Sequence, residues 1–576
     1  MSFEHRPSPA RVTEAAAAKL PRWMFFGLLA AYIVPGLFGR DPWSLEDASA
    51  FGVMWTMAHG DALAWWLPSV VGEPLPEEGP LPFWAGALMI RWFGGIFGDI
   101  VAARLMTVVW FLIATTSLWY ATYRLARRPE AQPVAFAFGG EANPRDYGRM
   151  LADIAVLLML ATIGIVVRMH ETGAETALFA FVSVLLLALA VSLDDPWKGT
   201  VGAGIALAAI ALTRGLIPAG ALTVATLVFV LSFGRHRWLR SIAVVVIGAT
   251  LFAIWPLAAE NATPQAVLYF DSWWAWNARE LYGPSLNSLR WFIRNVGWYT
   301  WPLWPFALWT LYSWRNFWGR PHVLLPMLIT ATSIVALLVV TDPSDRELIA
   351  GVPGLVVLGA FSVSTLRRAA DNAIDWFSLV LFTLALLAVW TYFGAWNTGV
   401  PPKMAASVSR LVPGLEASAP LAATVIALAA TAGWLVLAVW RVRRRPKMLW
   451  RGPFFAAGGL AAVWVVVVSI YGAPIEYSRS YASTAAVLAA QVKRVGGDGC
   501  VQAHHLPIGI RAMLAYHGGV NFGPQFAAPV SCRVAIHRDS ERTVHDDEPL
   551  QGWKVAYEFT RRARYDEVFK VWVRDR

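Results

Sequence analysis

The chain has 576 residues, 57% hydrophobic and only 15% charged, with a mean hydropathy of +0.50. A soluble globular protein carries about 25% charged residues, so much of this surface must face something other than water. The formal net charge of +10 would suit a nucleic-acid binder. However, the Lys and Arg fall mainly between apolar runs, where the positive-inside rule accounts for them, so no nucleic-acid partner is expected.

The first apolar run, Trp23–Phe38, follows Lys19 and Arg22 and has no small-residue cleavage site, so it reads as a retained first helix. A spanning helix needs about 20 mostly apolar residues. Thirteen windows qualify: 22–39, 101–124, 150–167, 174–192, 200–214, 216–232, 239–257, 297–314, 322–340, 348–365, 376–393, 420–440 and 452–471. The 31 Trp suit a bilayer, because an indole prefers the headgroup level. The run 82–97 is also apolar, but it is short and broken by Arg91 and Gly94–Gly95, and is expected to lie along the surface.

Charge sets the orientation. With 82–97 not spanning, Arg124, Arg127, Arg128, Arg145 and Arg149 share one side with Arg235, Arg237 and Arg240. Arg315 and Arg320, Arg367 and Arg368, and the basic run Arg441–Arg451 fall on that side too. That side is the cytoplasm. The expected division is a cytoplasmic N-terminus (1–21), a transmembrane domain (22–472) whose outside loop 40–100 holds juxtamembrane helices, and an outside α/β domain (473–576).

In that last domain the pattern predicts helices at 478–495 and 507–517 and strands near 499–504, 532–537, 552–559 and 566–573. Its two cysteines, Cys500 and Cys532, are expected to pair in an oxidising compartment; two buried thiols are the alternative. His504, His505, His517, His537 and His545 match no metal spacing and read as exposed polar residues.

Candidate chemistry gathers in the outside loops. Glu46 and Asp47 stand just beyond the first span, near Arg40. Acids at a membrane edge are costly unless solvated, paired or functional, although Asp also caps helices well. Glu77 and Glu78 precede the turn Gly79-Pro80. Arg168, His170, Glu171 and Glu175 close another outside turn. Thr213-Arg214-Gly215 interrupts an apolar stretch, and Asp342, Asp345, Arg346 and Glu347 fill a further turn. Each cluster alone has an ordinary reading as a solvated turn or a snorkelling charge. What is informative is that all of them share one side of the membrane.

This order of motifs resembles the GT-C glycosyltransferases of the protein mannosyltransferase and lipid A aminoarabinose transferase type (bacterial family 39/83-like). The resemblance runs through Trp43-Ser44-Leu45-Glu46-Asp47, Gly60-Asp61, Glu78-Gly79-Pro80, Phe83-Trp84, Ala102-Ala103-Arg104-Leu105 and Thr213-Arg214-Gly215. It implies a polytopic α-helical GT-C membrane protein of about 13 helices, acting as a monomer in a bacterial inner membrane. It implies transfer of a hexosyl or pentosyl group, with inversion, from a polyprenyl-phosphate donor such as an undecaprenyl phosphate sugar. The acceptor would be lipid A, a glycan or a protein at the periplasmic face.

The resemblance makes Glu46 or Asp47 the base, and gives Arg40, Arg168, Arg214 and Arg346 the donor phosphate. Glu77, Glu78, His170, Glu171 and Glu175 would act around the substrate. The sequence departs from the family at two points: the first acidic pair is Glu46 then Asp47 rather than Asp then Glu, and Gly79 stands where Lys is usual. A divalent cation would need Glu46, Asp47, Glu78, His170 and Glu171 to converge; no metal is assigned. A flippase of a lipid-linked intermediate or a non-catalytic assembly partner are the alternatives. Internal repeats and mid-membrane charges would favour the flippase, but neither is evident.

Overall fold

The computed structural model describes residues 8–75, 78–281, 283–444, 447–497, 499–523, 532–540, 552–563 and 567–574. Glu77 and His545 lie outside them.

Helix starts follow local capping chemistry. After α1 (Arg22–Ile33), α2 (Leu45–His59) begins at Ser44, whose hydroxyl accepts from the Asp47 amide. Asp61 caps α3 (Ala62–Trp66) in the same way. A small hairpin, β1 (Ser69–Val70) with β2 (Glu73–Pro74), leads into α4 (Leu81–Phe97) and α5 (Asp99–Ala126). Asn143 caps α6 (Pro144–Leu160), with Pro in its first turn.

The bundle continues with α7 (Ala174–Val191), α8 (Pro196–Arg214), α9 (Leu216–Ser232), α10 (Arg237–Ala262) and α11 (Gln265–Glu280). Next come α12 (Leu286–Tyr299), α13 (Leu303–Ser313), α14 (Pro321–Val339), the single turn α15 (Asp345–Leu348) and α16 (Val352–Val363). Then follow α17 (Arg368–Thr398), α18 (Pro402–Leu411), α19 (Leu421–Arg444) and α20 (Arg451–Ile470).

All thirteen predicted windows contain helix, but not all are full spans. Among the described residues eight segments are long and apolar enough to cross a membrane: α5, α7, α10, α14, α15–α16, α17, α19 and α20. The count is nine if α6 and the segment Ile163–His170, bent by 62°, form one span. The others are shorter or less apolar. The 12 residues of α1 reach roughly 18 Å, against a hydrocarbon core of about 30 Å. The window 297–314 breaks between α12 and α13. Outward-facing Val425, Leu428, Leu435 and Val436 on α19 would be untenable in water. The chain is an integral membrane protein.

Charged contacts mark the two ends of the bundle. At one end Arg22 bonds Asp153 and Arg128 bonds Asp194. There too, Asp375 on α17 receives Arg441 from α19 at 2.8 Å and also pairs with Arg451 from α20, which reaches Asp371 at 2.6 Å. The other end gathers Arg40, Asp47, Glu78, Arg168, Glu171, Arg214 and residues 342–347.

The C-terminal part adds α21 (Gly472–Arg479), α22 (Ala482–Arg494) and α23 (Ile508–Gly518) to a four-stranded sheet. Its strands are β3 (Val501–His504), β4 (Val534–Ser540), β5 (Trp553–Thr560) and β6 (Glu567–Arg574), in the order β3-β4-β6-β5. β3 lies parallel to β4, and the other pairs are antiparallel. Cys500 and Cys532 are joined by a disulfide, with Cα atoms 5.3 Å apart. Phe51, Met54 and Phe83 from the 40–100 region share one apolar core with Leu488, Ile510, Leu514 and Phe569. A boundary at 473 therefore divides residues that are buried together. His504 is half-buried rather than exposed as expected: its Nδ1 lies 2.8 Å from Nδ1 of His537, which also bonds Asp539.

The ion cluster on α17, α19 and α20 gives a direct test. Removing Asp375 leaves the buried Arg441 without a carboxylate and takes one of two from Arg451, and breaking a buried pair from one side costs about 3–5 kcal/mol. Asp375→Ala is expected to lower the melting temperature of the detergent-solubilised protein sharply, whereas Lys198→Ala, at an exposed pair with Asp195, leaves it nearly unchanged.

Candidate active site

The loop after α1 is held by a fully buried carboxylate. Asp47 Oδ1 accepts from the Thr172 amide at 2.8 Å and from its hydroxyl at 2.6 Å. Its Oδ2 faces Arg104 Nη2 at 3.3 Å and Arg40 Nη1 at 3.4 Å. Arg104 continues to the carbonyls of Leu37, Arg40 and Asp41, and Arg40 reaches the His170 carbonyl. Burial alone would push the Asp47 carboxyl up. The charges of Arg104 and Arg40 and the Thr172 hydrogen bonds outweigh it and hold the group below its ordinary value. Asp47, read from sequence as a candidate base, and Arg40, read as a donor phosphate ligand, instead spend their polar atoms on the protein.

Glu46 points the other way. Its side chain keeps 42% exposure and stands 3.7 Å from Arg346. It lines a cavity of about 400 Å³ with Arg168, Arg214, Arg346, Trp276 and Glu280. Each arginine there is held by carboxylates. Arg168 makes a two-pronged pair with Asp345 at 2.9 and 3.1 Å and reaches Glu171 at 2.8 Å. Arg214 bridges Glu78 at 3.1 Å and Glu347 at 3.2 Å, and Arg346 meets Glu175 at 3.3 Å. A capping box between Ser344 and Glu347 fixes the turn that supplies Asp345 and Arg346. The lining holds three guanidiniums and five carboxylates (Glu46, Glu280, Asp342, Asp345, Glu347). The former suit a phosphate and the latter suit hydroxyl donors.

The bend after α6 delivers Arg168 to this cavity and the buried Glu171 behind it. Glu171 accepts from the Ser44 hydroxyl at 2.7 Å, which ties the bend to the cap of α2. Burial, reinforced by the charge of Asp47, pushes the Glu171 carboxyl up to about 7 against the pull of Arg168. His170 is buried, with its ring nitrogens engaged by the Val166 and Tyr32 carbonyls. Among the described residues no three His, Cys, Asp or Glu side chains group to hold a metal.

Gly79 explains one departure from the family pattern. A Cβ on Gly79 would lie 2.1 Å from the Leu212 carbonyl oxygen, so this backbone leaves no room for a side chain. The cation beside Glu78 comes instead from Arg214, two residues beyond Leu212 in the chain.

Sequence reasoning missed Trp276 and Glu280 on α11, Thr172, and the clamp from the C-terminal part. Glu476 on α21 accepts from the Asp41 amide at 3.1 Å and from the Trp43 indole at 2.8 Å, while Trp43 stacks under Arg40. His517 and Ser480 bond Asp41 and, against its burial, hold its carboxyl low. A Cβ on Gly509 would meet the Leu45 carbonyl at 2.3 Å, so α23 lies directly on the start of α2. Arg104 and Trp43 were visible as motif residues, but no local signal pairs Glu476 with a loop more than 430 residues earlier.

The chain is similar to two solved structures of ArnT from Cupriavidus metallidurans. With the form bound to undecaprenyl phosphate it shares 16% identity over 96% of this chain and 97% of that one, with a TM-score of 0.66. With the apo form the values are 17%, 95% and 97%, and 0.64. No protein-family model matches the chain, and no curated protein sequence matches it. The likeness establishes the architecture: a GT-C fold with a C-terminal sheet domain.

Two outcomes are expected from this geometry. Glu171 binds its proton more tightly folded than unfolded, so the folded protein loses stability as pH rises from about 4.5 to about 7. Glu171→Gln keeps a neutral side chain, and its melting temperature should rise relative to the parent over that window and run parallel above it. Glu476→Ala should speed amide hydrogen exchange across residues 41–47 by at least about tenfold and leave α7 and α16 protected; Glu476→Gln, which still accepts hydrogen bonds, should recover most of that protection.

Proposed function

We propose that the protein is a glycosyltransferase of the inner membrane that moves a sugar from a polyprenyl phosphate to an acceptor hydroxyl at the periplasmic face. The N-terminus would be cytoplasmic and the C-terminal part periplasmic, since the basic loops group at the end away from the cavity. The reading is carried by one observation: of the two acids after α1, only Glu46 opens into the arginine-lined cavity, while Asp47 is sealed beneath it. The ArnT structure that holds undecaprenyl phosphate supports a carrier of that class.

In the reaction Glu46 takes the proton of the acceptor hydroxyl as its oxygen bonds the anomeric carbon. The bond from that carbon to the phosphate oxygen breaks, and its electron pair leaves with the lipid phosphate. Arg168, Arg214 and Arg346 offset the charge gathering on the phosphate, which requires them to exchange some carboxylate contacts for phosphate contacts. Glu280, Asp342 and the other lining acids accept from the sugar's hydroxyls. Attack opposite the leaving phosphate inverts the anomeric centre.

Complementation of a deletion strain, followed by mass spectrometry of lipid A and envelope glycans, tests the reading. The deletion should lack one sugar. Glu46→Gln should accumulate to normal levels and restore less than about 1% of it, in line with the 10²–10⁴-fold value of a general base. Asp47→Ala should fail earlier, at folding, because two buried arginines lose their shared partner. Full restoration by Glu46→Gln would overturn the assignment.

A further inference from the structure

Between α3 and α4 the surface opens into a second pocket of about 680 Å³, walled by Trp65, Trp66, Trp84 and Leu88 and rimmed by Asp61 and Arg91. The three indoles are half-buried, and the two charged side chains are exposed. We propose that this pocket is a saccharide-binding subsite that holds the sugar of the acceptor.

The composition is specific. A sugar ring has an apolar C–H face that packs on an indole, and a rim of hydroxyls that must find donors and acceptors. Here both are supplied from fixed positions. Trp84 Nε1 donates to the Trp65 carbonyl at 2.6 Å, and the Trp66 carbonyl accepts from Trp255 Nε1 at 2.9 Å. An indole that only anchors a helix in the bilayer keeps its N–H for headgroups and water; Trp84 uses it to set the pocket wall. Asp61 caps α3 through Oδ1 alone, at 3.1 Å to the Leu63 amide, and its Oδ2 makes no hydrogen bond among the described residues. The Arg91 guanidinium stands 5.8 Å from the Trp65 ring centroid, over its face. An alkyl chain would use neither charge, and a bare phosphate would use no indole.

The pocket is also joined to the cavity that holds Glu46. Trp66 and Trp84 pack on the cluster of Trp255, Tyr269, Phe270 and Trp273, which also touches Leu212 and Leu216 on either side of Arg214. The same helix, α11, carries Tyr269 and Trp273 here and Trp276 and Glu280 in the cavity. α4 starts three residues after Glu78, the partner of Arg214. One rigid aromatic wall therefore links the two openings. Saccharide binding stands on the pocket itself; only the word acceptor rests on the transferase reading.

The test uses the full-length protein in detergent, with chitobiose and cellobiose as probes in saturation-transfer NMR. The parent and Glu46→Gln should both transfer saturation to the C–H face of at least one disaccharide. Trp65→Leu and the pair Asp61→Asn with Arg91→Gln should weaken its apparent Kd by at least about tenfold; Asn still caps α3, so that pair keeps the fold. Equal saturation in parent and variants overturns the proposal, as does none with either sugar. Quenching of Trp65 by brominated phospholipid in nanodiscs, unprotected by saccharide, would also overturn it and mark the indoles as a bilayer anchor. A parallel titration with undecaprenyl phosphate separates the two readings: failure there counts against the donor cavity and leaves the saccharide pocket standing.

Discussion

The buried Asp47 carboxylate governs the geometry of this end of the molecule. An isolated ion in such a place costs several kcal/mol of lost hydration. It is tolerated because two guanidiniums, one amide and one hydroxyl converge on it. Those donors come from α5, from the loop after α1 and from the turn before α7, so satisfying one charge pins three segments together. The peptide plane that buries Asp47 also directs its neighbour Glu46 outward. Adjacent residues at the first turn of a helix point about 100° apart, which separates the buried acid from the one that lines the cavity. The reversed order of the acidic pair is thereby accommodated: the longer Glu reaches into the cavity and the shorter Asp fits the tight donor cage.

Charge compensation in the cavity follows a different rule. The arginines are not buried bare; each is held by carboxylates contributed from separate turns, and Arg168 and Arg214 each bridge two of them. Such pairs orient guanidiniums without closing them to a ligand, since a phosphate can replace a carboxylate on one edge while the other edge stays fixed. The excess of acids has an electrostatic consequence of its own. Glu171, buried and next to the charge of Asp47, is the group that yields, and its carboxyl rises to about 7. Protonation of Glu171 would remove one of the two carboxylate charges paired with Arg168.

The C-terminal part belongs mechanically to this site. Its core is continuous with α2 and α4, and Glu476, Ser480 and His517 grip the residues just before Glu46. A covering domain tethered by a flexible linker would not need to bring a helix within a glycine's distance of the α2 start. Contacts so far apart in the chain form only after both partners have folded. The loop that presents Glu46 is therefore held in part by side chains from the C-terminal part.

Much of the architecture was legible in the primary structure. Apolar windows, basic loops and turn residues obey short-range rules of length, hydration and capping, and they placed the helices, the strands of the C-terminal sheet and the acidic turns. The resemblance carried by Trp43–Asp47 and the Arg104 and Arg214 motifs pointed to the fold that the structure shows. Span lengths were less legible, because a window average does not register that α1 stops at a Pro-Gly turn or that α12 and α13 are separate. Which acid faces the cavity, which arginines line it, why residue 79 has no side chain and what holds the first loop were decided only in three dimensions. Those outcomes depend on desolvation and on atoms brought together from distant parts of the chain, and neither quantity is a property of local sequence.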